Sequence, residues 1–421
     1  MTFALTPEQR AWVDKAHRLG PTIAANARRY DEAGTLPSDN FDLFRDEGFL
    51  KLAIPREYGG LGDAAGYASF IPHMVIEAVA QYCGSTGWAL LTHLQHCGLL
   101  AGMGNEEQKT RIFRDIVDNG VLMGSLGSEV IPQQLTASID TKRKISFTAG
   151  FEPVDGGFIA NATKGFCSMA SVSKYNFYWA LAPGTDDNAH GLTVALVTSD
   201  SPGLSFLPGW EEAIGLRASL SGGAKLENVF IPWKNVLGEP GDYIQNYPYT
   251  VEITYAVELT GIAQGAYDFV KQVLAERPFL QADDTVMFTV GEMSSALHAM
   301  RFSWWYAQWL WDQGQWDEAA HATMRALHVA KTGALMITTK AFDVIGVRSV
   351  FKFHPLARAW RDVRTVTLHT RESQLMRLLA EGDINGKKFA KEKYGQRLDA
   401  SERVTWASLG LSREDAAAGV S

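Results

Sequence analysis

Apolar and polar positions change their period twice along this chain. Thr6-Pro7-Glu8-Gln9 sets a cap residue, a proline at the first helical position and a glutamine three residues on, which is a capping-box start. The 3.6-residue recurrence behind it predicts a helix to about Tyr30. The same recurrence predicts helices over Asp39–Glu47, around Tyr67–Ala80 and over Trp88–Met103, punctuated by Pro55, Gly59-Gly60, Gly62 and Gly84. Residues 1–120 therefore form an N-terminal helical domain.

Between Val121 and Val236 the helical period disappears, and short apolar runs alternate with turn signals at Asp155-Gly156-Gly157, Pro183-Gly184 and Ser201-Pro202-Gly203. That alternation predicts a compact central β-domain over 121–238, with its clearest strands at 175–182 and 192–198. Beyond Tyr243 the helical period returns in four long segments, Val251–Ala275, Asp284–Gln313, Asp317–Asp343 and Pro355–Glu381. Four such helices over 239–405 predict an antiparallel bundle. The last stretch, 406–421, reads as a loose tail.

Composition narrows the function. The net charge of −8 and the lack of any Lys/Arg run argue against a nucleic-acid partner, which needs a basic patch to displace phosphate counterions. Cys83, Cys97 and Cys167 show no CxxC spacing, so no disulfide framework or thiolate zinc site is indicated and a cytoplasmic location is expected. No stretch approaches the ~20 consecutive apolar residues of a membrane span. Trp304, Trp305, Trp309, Trp311 and Trp316 crowd one segment, as in a helix buried on more than one side, in a core or a subunit interface. His93 and His96 share a helix face, but with no third ligand in sight they point to a pocket wall rather than a metal.

Several local patterns, in order, resemble the acyl-CoA dehydrogenase superfamily: IPREYGGLG at 54–62, GDYIQNY at 241–247, GIAQGAYDFV at 261–270, ERPF at 276–279, FDVIGVRS at 342–349 and RDVRTVTLH at 361–369. The resemblance covers nearly the whole chain. It implies a mainly α fold with an N-terminal helical domain, a β-barrel-like middle domain and a C-terminal four-helix bundle. It also implies a flavin ring between the β-domain and the bundle, and a homotetramer in which a neighbouring subunit completes the site.

Two departures from the dehydrogenases redirect the chemistry. Their catalytic glutamate, in a Tyr-Glu-Gly-Thr motif, is replaced in Leu368-His369-Thr370-Arg371 by Thr370, which cannot act as a base at neutral pH. The other position at which family members carry that glutamate is Thr254 here, and Glu252 and Glu258 are expected to point elsewhere, as solvated or bundle carboxylates. The acyl-CoA loop, Thr-Glu-Pro followed by Gly-Ser-Asp in the family, reads SEVIPQQL at 128–135. A histidine at the His369 position resembles instead the branch of two-component flavin-dependent monooxygenases that includes the dibenzothiophene monooxygenases and the reduced-flavin phenol hydroxylases.

That branch implies an oxygenase component that takes reduced FMN, with FAD as the alternative, from a separate NAD(P)H:flavin reductase. The chain has no GxGxxG of its own for nicotinamide. The flavin would react with O2 through a C4a-hydroperoxide and oxygenate an aromatic, organosulfur or amine substrate. The resemblance assigns His369 to acid/base work or peroxide stabilisation, which suits an imidazole titrating near working pH, and Ser168 to the flavin N5 region. Ser125, Phe166, Cys167, Trp210, Ser221 and Arg277 would hold the cofactor, with Arg217 a further contact. Arg277 would meet its phosphate, for which guanidinium is suited. Trp88, Thr92, His93, His96 and Thr370 would line the substrate pocket. The rival readings are a dehydrogenase or oxidase with a relocated base, and a silent flavin-binding scaffold.

Overall fold

The computed structural model describes residues 5–62, 70–129, 147–392 and 394–411. Its first layer is helical: α1 (Pro7–Ala33), α2 (Ser38–Asp46), α3 (Phe70–Ala80), α4 (Gly84–Met103) and α5 (Glu106–Asn119). Both halves of the expected Thr6/Gln9 capping box form, and Gly34 closes α1 in the left-handed conformation. α5 is a helix beyond those expected from the sequence, and Asn105 and Gln108 cap it by the same reciprocal device. α4 is apolar all round and almost wholly buried, the pattern of a helix enclosed on every side.

The middle layer is a β-domain as expected, but it forms no closed barrel. Its strands are β1 (Met123–Leu126), β2 (Phe151–Val154), β3 (Gly157–Lys164), β4 (Tyr175–Leu181), β5 (Leu192–Thr198), β6 (Leu204–Leu207), β7 (Gly223–Pro232) and β8 (Val236–Leu237), with the single turn α6 (Asn188–Gly191) between β4 and β5. They form two separate four-stranded sheets, ordered β1-β4-β5-β8 and β2-β3-β7-β6. β1 runs parallel to β4, and every other pairing is antiparallel. Single bridges at Glu129–Lys164 and Gly150–Leu181 join the sheets at their ends, but among the described residues no continuous ladder closes them into a barrel. They are two faces of a sandwich around Leu126, Phe158, Tyr178, Ala195 and Ile231.

After the short α7 (Asp242–Gln245), the third layer comprises α8 (Glu252–Glu276), α9 (Asp284–Asp312), α10 (Trp316–Ile345), α11 (Leu356–Val366) and α12 (Glu372–Asn385). The fourth expected bundle helix is thus two helices, broken over 367–371. Lys331 of α10 reaches into that break, its Nζ 2.8 Å from the Thr370 carbonyl and 2.7 Å from Glu372. The tryptophan-rich segment is two-faced. Trp304 and Trp311 are buried, whereas Phe302 and Tyr306 stand nearly half exposed and Trp316 half exposed. No described helix is long and apolar enough to cross a membrane.

The supposed tail is partly built into the core. Trp406 is buried, 5.4 Å from Phe158 and 5.2 Å from Trp233 between ring centroids, and its indole donates to the Gly238 carbonyl at 3.0 Å.

Candidate active site

Three chain segments converge where α4 meets the break between α11 and α12. Trp88 projects from the first turns of α4, Tyr255 from the start of α8, and His369 from the break. The indole stacks on Tyr255 at 5.3 Å and meets His369 at 4.5 Å, while Tyr255 and His369 lie 5.5 Å apart. A continuous helix would carry residue 369 onward with α11. The turn instead lets His369 Nδ1–H donate to the carbonyls of Thr365 and Val366 at 3.1 and 3.2 Å. Nδ1 is therefore the protonated nitrogen, and Nε2 keeps its lone pair for the cleft. Protein atoms crowding the ring hold the His369 pKa below the usual histidine value, against the opposing pull of the two carbonyls.

The Trp88 indole N–H donates to Ser168 Oγ at 3.2 Å. Ser168 Oγ lies 2.7 Å from Ser221 Oγ, which lies 2.8 Å from Ser219 Oγ, and Ser219 donates to the Leu216 carbonyl at 2.7 Å. Backbone bonds bring the neighbouring segments together: Ser125 N to the Ser168 carbonyl, Cys167 N to Gly222 and Met169 N to Ser219. Phe166 adopts φ +57° and stands 62% exposed. It meets Trp210 edge-on at 6.2 Å, and Trp210 donates to Leu216 at 2.9 Å.

Strained backbone frames this hydroxyl chain. Leu216 and Leu220 both lie in the left-handed region, at φ 53° and 49°, which costs of order 1–3 kcal/mol per non-glycine residue. The surroundings hold them there. Asp362 accepts from Leu216 N at 2.7 Å, and Arg361 bonds the Ile214 carbonyl and Asp31. Arg217 spends its guanidinium on the carbonyls of Asp31 and Ala213, so the expected flavin or substrate contact is a loop anchor instead.

Of the residues singled out from sequence, Trp88, Ser125, Phe166, Ser168, Trp210, Ser221 and His369 therefore come together, and Thr370 enters the same turn through its carbonyl. Cys167 contributes backbone alone. Its thiol is buried in the sandwich core, and burial pushes it up to about 12. Thr92 turns its hydroxyl back to the Trp88 carbonyl at 2.9 Å. His93 does not line a pocket: it is fully buried, with Nε2 on the Leu50 carbonyl at 3.0 Å and Nδ1 accepting from Met123 N at 3.1 Å. It ties α4 to β1. His96 packs against Phe177 and Trp179 at 5.0 and 6.0 Å, its Nδ1 on the Thr92 carbonyl.

Arg277 is not brought to this cluster within one chain. It ends α8, and 22 residues of helix separate it from Tyr255, roughly 33 Å at 1.5 Å per residue. Of the altered acyl-CoA loop, only Ser128 and Glu129 lie within the described residues. Glu258 corrects the expectation that it points away from Thr254: four residues on, it shares that face. Nor is it solvated. Glu252 and Glu258 are both fully buried, and burial together with nearby Asp362 raises Glu258 well above the usual carboxyl range.

Sequence reasoning missed Tyr255, Ser219, Lys331 and Asp362. No periodic signal marks the Ser219–Ser221 pair, because Leu220 between them is left-handed and the segment is neither helix nor strand.

The residues present fit a flat, hydrogen-bonding ring such as a flavin. An aromatic shelf, exposed Phe166 against half-buried Trp210, adjoins a hydroxyl, Ser168, whose oxygen keeps a lone pair uncommitted within the protein, and the His369 imidazole packs on the indole that bonds it.

Comparison with known proteins places these features among relatives. The model of the N-terminal domain of acyl-CoA dehydrogenases matches residues 6–119, and that of their C-terminal domain matches residues 253–374. A dibenzothiophene monooxygenase of Rhodococcus erythropolis is 27% identical over 399 residues, covering 88% of this chain and 92% of its own. A probable acyl-CoA dehydrogenase of Bacillus subtilis (strain 168) is 26% identical over 391 residues, covering 90% and 98%. Among solved structures, the FMN-bound dibenzothiophene monooxygenase of Paenibacillus sp. A11-2 shares the fold with a TM-score of 0.78 at 24% identity, over 91% of this chain and all of that one.

Proposed function

Because the chain belongs to the acyl-CoA dehydrogenase superfamily but offers its site a histidine where the dehydrogenases need a carboxylate, we propose that it is the oxygenase component of a two-component flavin-dependent monooxygenase. It uses reduced FMN and O2 to oxygenate an aromatic, organosulfur or amine substrate. The observation that carries this reading is His369, packed against Trp88 and Tyr255 with Nδ1 bonded to backbone carbonyls and Nε2 free. A dehydrogenase would need a base here. Thr254 bonds its own helix at Val251, and Glu258 is sealed from the cleft.

Reduced flavin, when bound, supplies the electrons that activate O2. The chain's residues position and protect. Ser168 would meet the flavin ring, with Ser221 positioning its hydroxyl, Phe166 and Trp210 would cover the ring, and Ser125 fixes the Ser168 backbone. His369 Nε2 accepts a substrate proton or, once protonated, returns it. The aromatic walls keep out water that would otherwise compete. A separate NAD(P)H:flavin reductase provides the reduced cofactor.

A homotetramer accords with Phe279, Phe288, Val347 and Phe353, exposed by 72, 68, 81 and 64%, since large exposed apolar side chains are candidates for burial against another subunit. It also explains Arg277, whose guanidinium has no ion pair among the described residues and which would serve a neighbour's cofactor phosphate. The three buried, unpaired thiols suit the cytoplasm.

The test is turnover under 18O2 with a flavin reductase, NADH, FMN and dibenzothiophene as the probe. Incorporation of 18O into a sulfoxide or sulfone supports the reading. Anaerobic bleaching of bound flavin by an acyl-CoA, with no label in any product, would replace it with a dehydrogenase.

A further inference from the structure

The hydroxyl chain beside Trp88 can be oriented in one direction only. Leu216 ends it with a carbonyl, which can only accept, so the single proton of Ser219 is committed there. Ser219 Oγ must then accept from Ser221 across their 2.8 Å contact. Having spent its proton on Ser219, Ser221 must accept from Ser168 across 2.7 Å. At the other end the Trp88 indole, a donor with no lone pair to offer, gives its N–H to Ser168 at 3.2 Å. The order is fixed: Trp88 N–H to Ser168 O–H to Ser221 O–H to Ser219 O–H to the Leu216 carbonyl.

Burial makes this polarity durable. Ser168, Ser219 and Ser221 are 8, 0 and 3% exposed, so no bulk water can take over one of the bonds, and breaking one would strand a buried donor at about 1–3 kcal/mol. Leu216 is itself held in place, with Asp362 on its N–H and three donors, the Trp210 indole and the Ser219 amide and hydroxyl, on its carbonyl. What Ser168 retains for a ligand is a lone pair and no proton.

We infer that this chain of serines makes the site selective for the reduced form of its flavin, with Ser219 and Ser221 as positioning residues that act through Ser168. The inference rests on the reading that Ser168 meets the flavin ring at N5. Reduced flavin carries an N–H there, a donor matched to the available lone pair. Oxidised flavin carries a bare nitrogen, and two lone pairs facing each other repel. A lone serine could rotate to serve either state, whereas a serine whose proton is held elsewhere serves one. Such selectivity suits a protein that receives its cofactor already reduced and must release it oxidised.

The experiment is an anaerobic equilibrium titration of the purified full chain with oxidised FMN and with dithionite-reduced FMN, on the wild type and on Ser219→Ala, Ser221→Ala and Ser168→Ala. The wild type is expected to bind the reduced form more tightly. Ser219→Ala and Ser221→Ala each free a proton to turn toward Ser168 or the ring, and are expected to lower that preference about tenfold, equivalent to about 30 mV in a two-electron potential. Ser168→Ala sets the floor. A merely structural role would weaken both forms alike, and that result, or an unchanged ratio in both variants, would overturn the inference. If Ser219→Ala fails to fold, Ser221→Ala asks the same question one link nearer the ring. A wild type that binds neither form would overturn the flavin reading itself, an outcome distinct from binding without preference.

Discussion

The imidazole of His369 lies 4.5 Å from the indole of Trp88, their planes inclined at 45°. The same indole hands its N–H to Ser168, so one ring joins the proposed acid/base group to the proposed flavin contact.

His369→Ala is therefore expected to lower product yield per NADH by about 10²–10⁴-fold, the usual range for a lost acid/base group, while hydrogen peroxide release rises. Protein atoms packed round the ring lower the His369 pKa although the residue keeps an exposed edge, which favours the neutral ring at pH 7. Product formation should hold a plateau above neutrality and fall as pH drops through that lowered value. A profile that is flat in the wild type down to pH 5 would remove His369 from the chemistry.

Lys331 holds the break that turns His369 into the cleft, through the Thr370 carbonyl and Glu372. Lys331→Met should loosen that turn. Since a displacement of ~1 Å can cost ~10² in rate, turnover should fall roughly 10-fold or more while the thermal midpoint moves little, and Lys331→Arg should recover part of the loss. Equal losses in turnover and folding in both variants would mark Lys331 as structural.

Glu129 and Lys164 form a buried ion pair at 3.0 Å, with side chains 7 and 0% exposed. Glu129 also accepts from Thr148 and Ala149. Glu129→Gln leaves the ammonium inside without a counter-charge, and urea unfolding should record a loss of about 3–5 kcal/mol. Adding Lys164→Met should restore most of it. A double variant as unstable as the single one would contradict this account.

Burial, with Asp362 nearby, raises the Glu258 pKa well above its ordinary value and so favours its neutral form. Its folded pKa exceeds the unfolded one, so it lowers stability progressively as pH rises above about 4.5. The isosteric Glu258→Gln should therefore gain stability relative to wild type with increasing pH and keep turnover within about twofold. A relocated dehydrogenase base at this position would instead make that variant inactive.

His73, His93 and His96 are each lowered by burial to about 4. The unfolded chain binds their protons first, so stability is full above about pH 6.5 and is lost below it. At pH 5 each should cost about 2 kcal/mol. Thermal midpoints taken from pH 7 to 4.5 should drop steeply, and His93→Gln, if it folds, should flatten that slope.

The layer order and most helix positions were legible because hydrophobic period reports which face of an element is buried. What that period cannot report explains the misses. Apolar spacing runs on through Val366 and Leu368, so the break that presents His369 was read as continuous helix. His93 occupies the same periodic face whether it serves a pocket or bonds Leu50 and Met123, and only the backbone partners decide. The serine chain depends on Ser168 and Ser221 meeting across distant segments, a contact without a local signal. Closure of a barrel is likewise a property of strand pairing, and the pairing here yields two sheets.

Trp406 seats between Phe158 and Trp233, so the chain's last described segment fills a hole in its middle layer. The β-layer is consequently not a portable module. Excised over 121–238, it would lack an indole from its own interior, and a chimera that exchanged this layer between relatives would have to exchange the segment around Trp406 with it. Descent should accordingly couple changes at Phe158 and Trp233 to changes at Trp406, across nearly the whole span of the helical bundle.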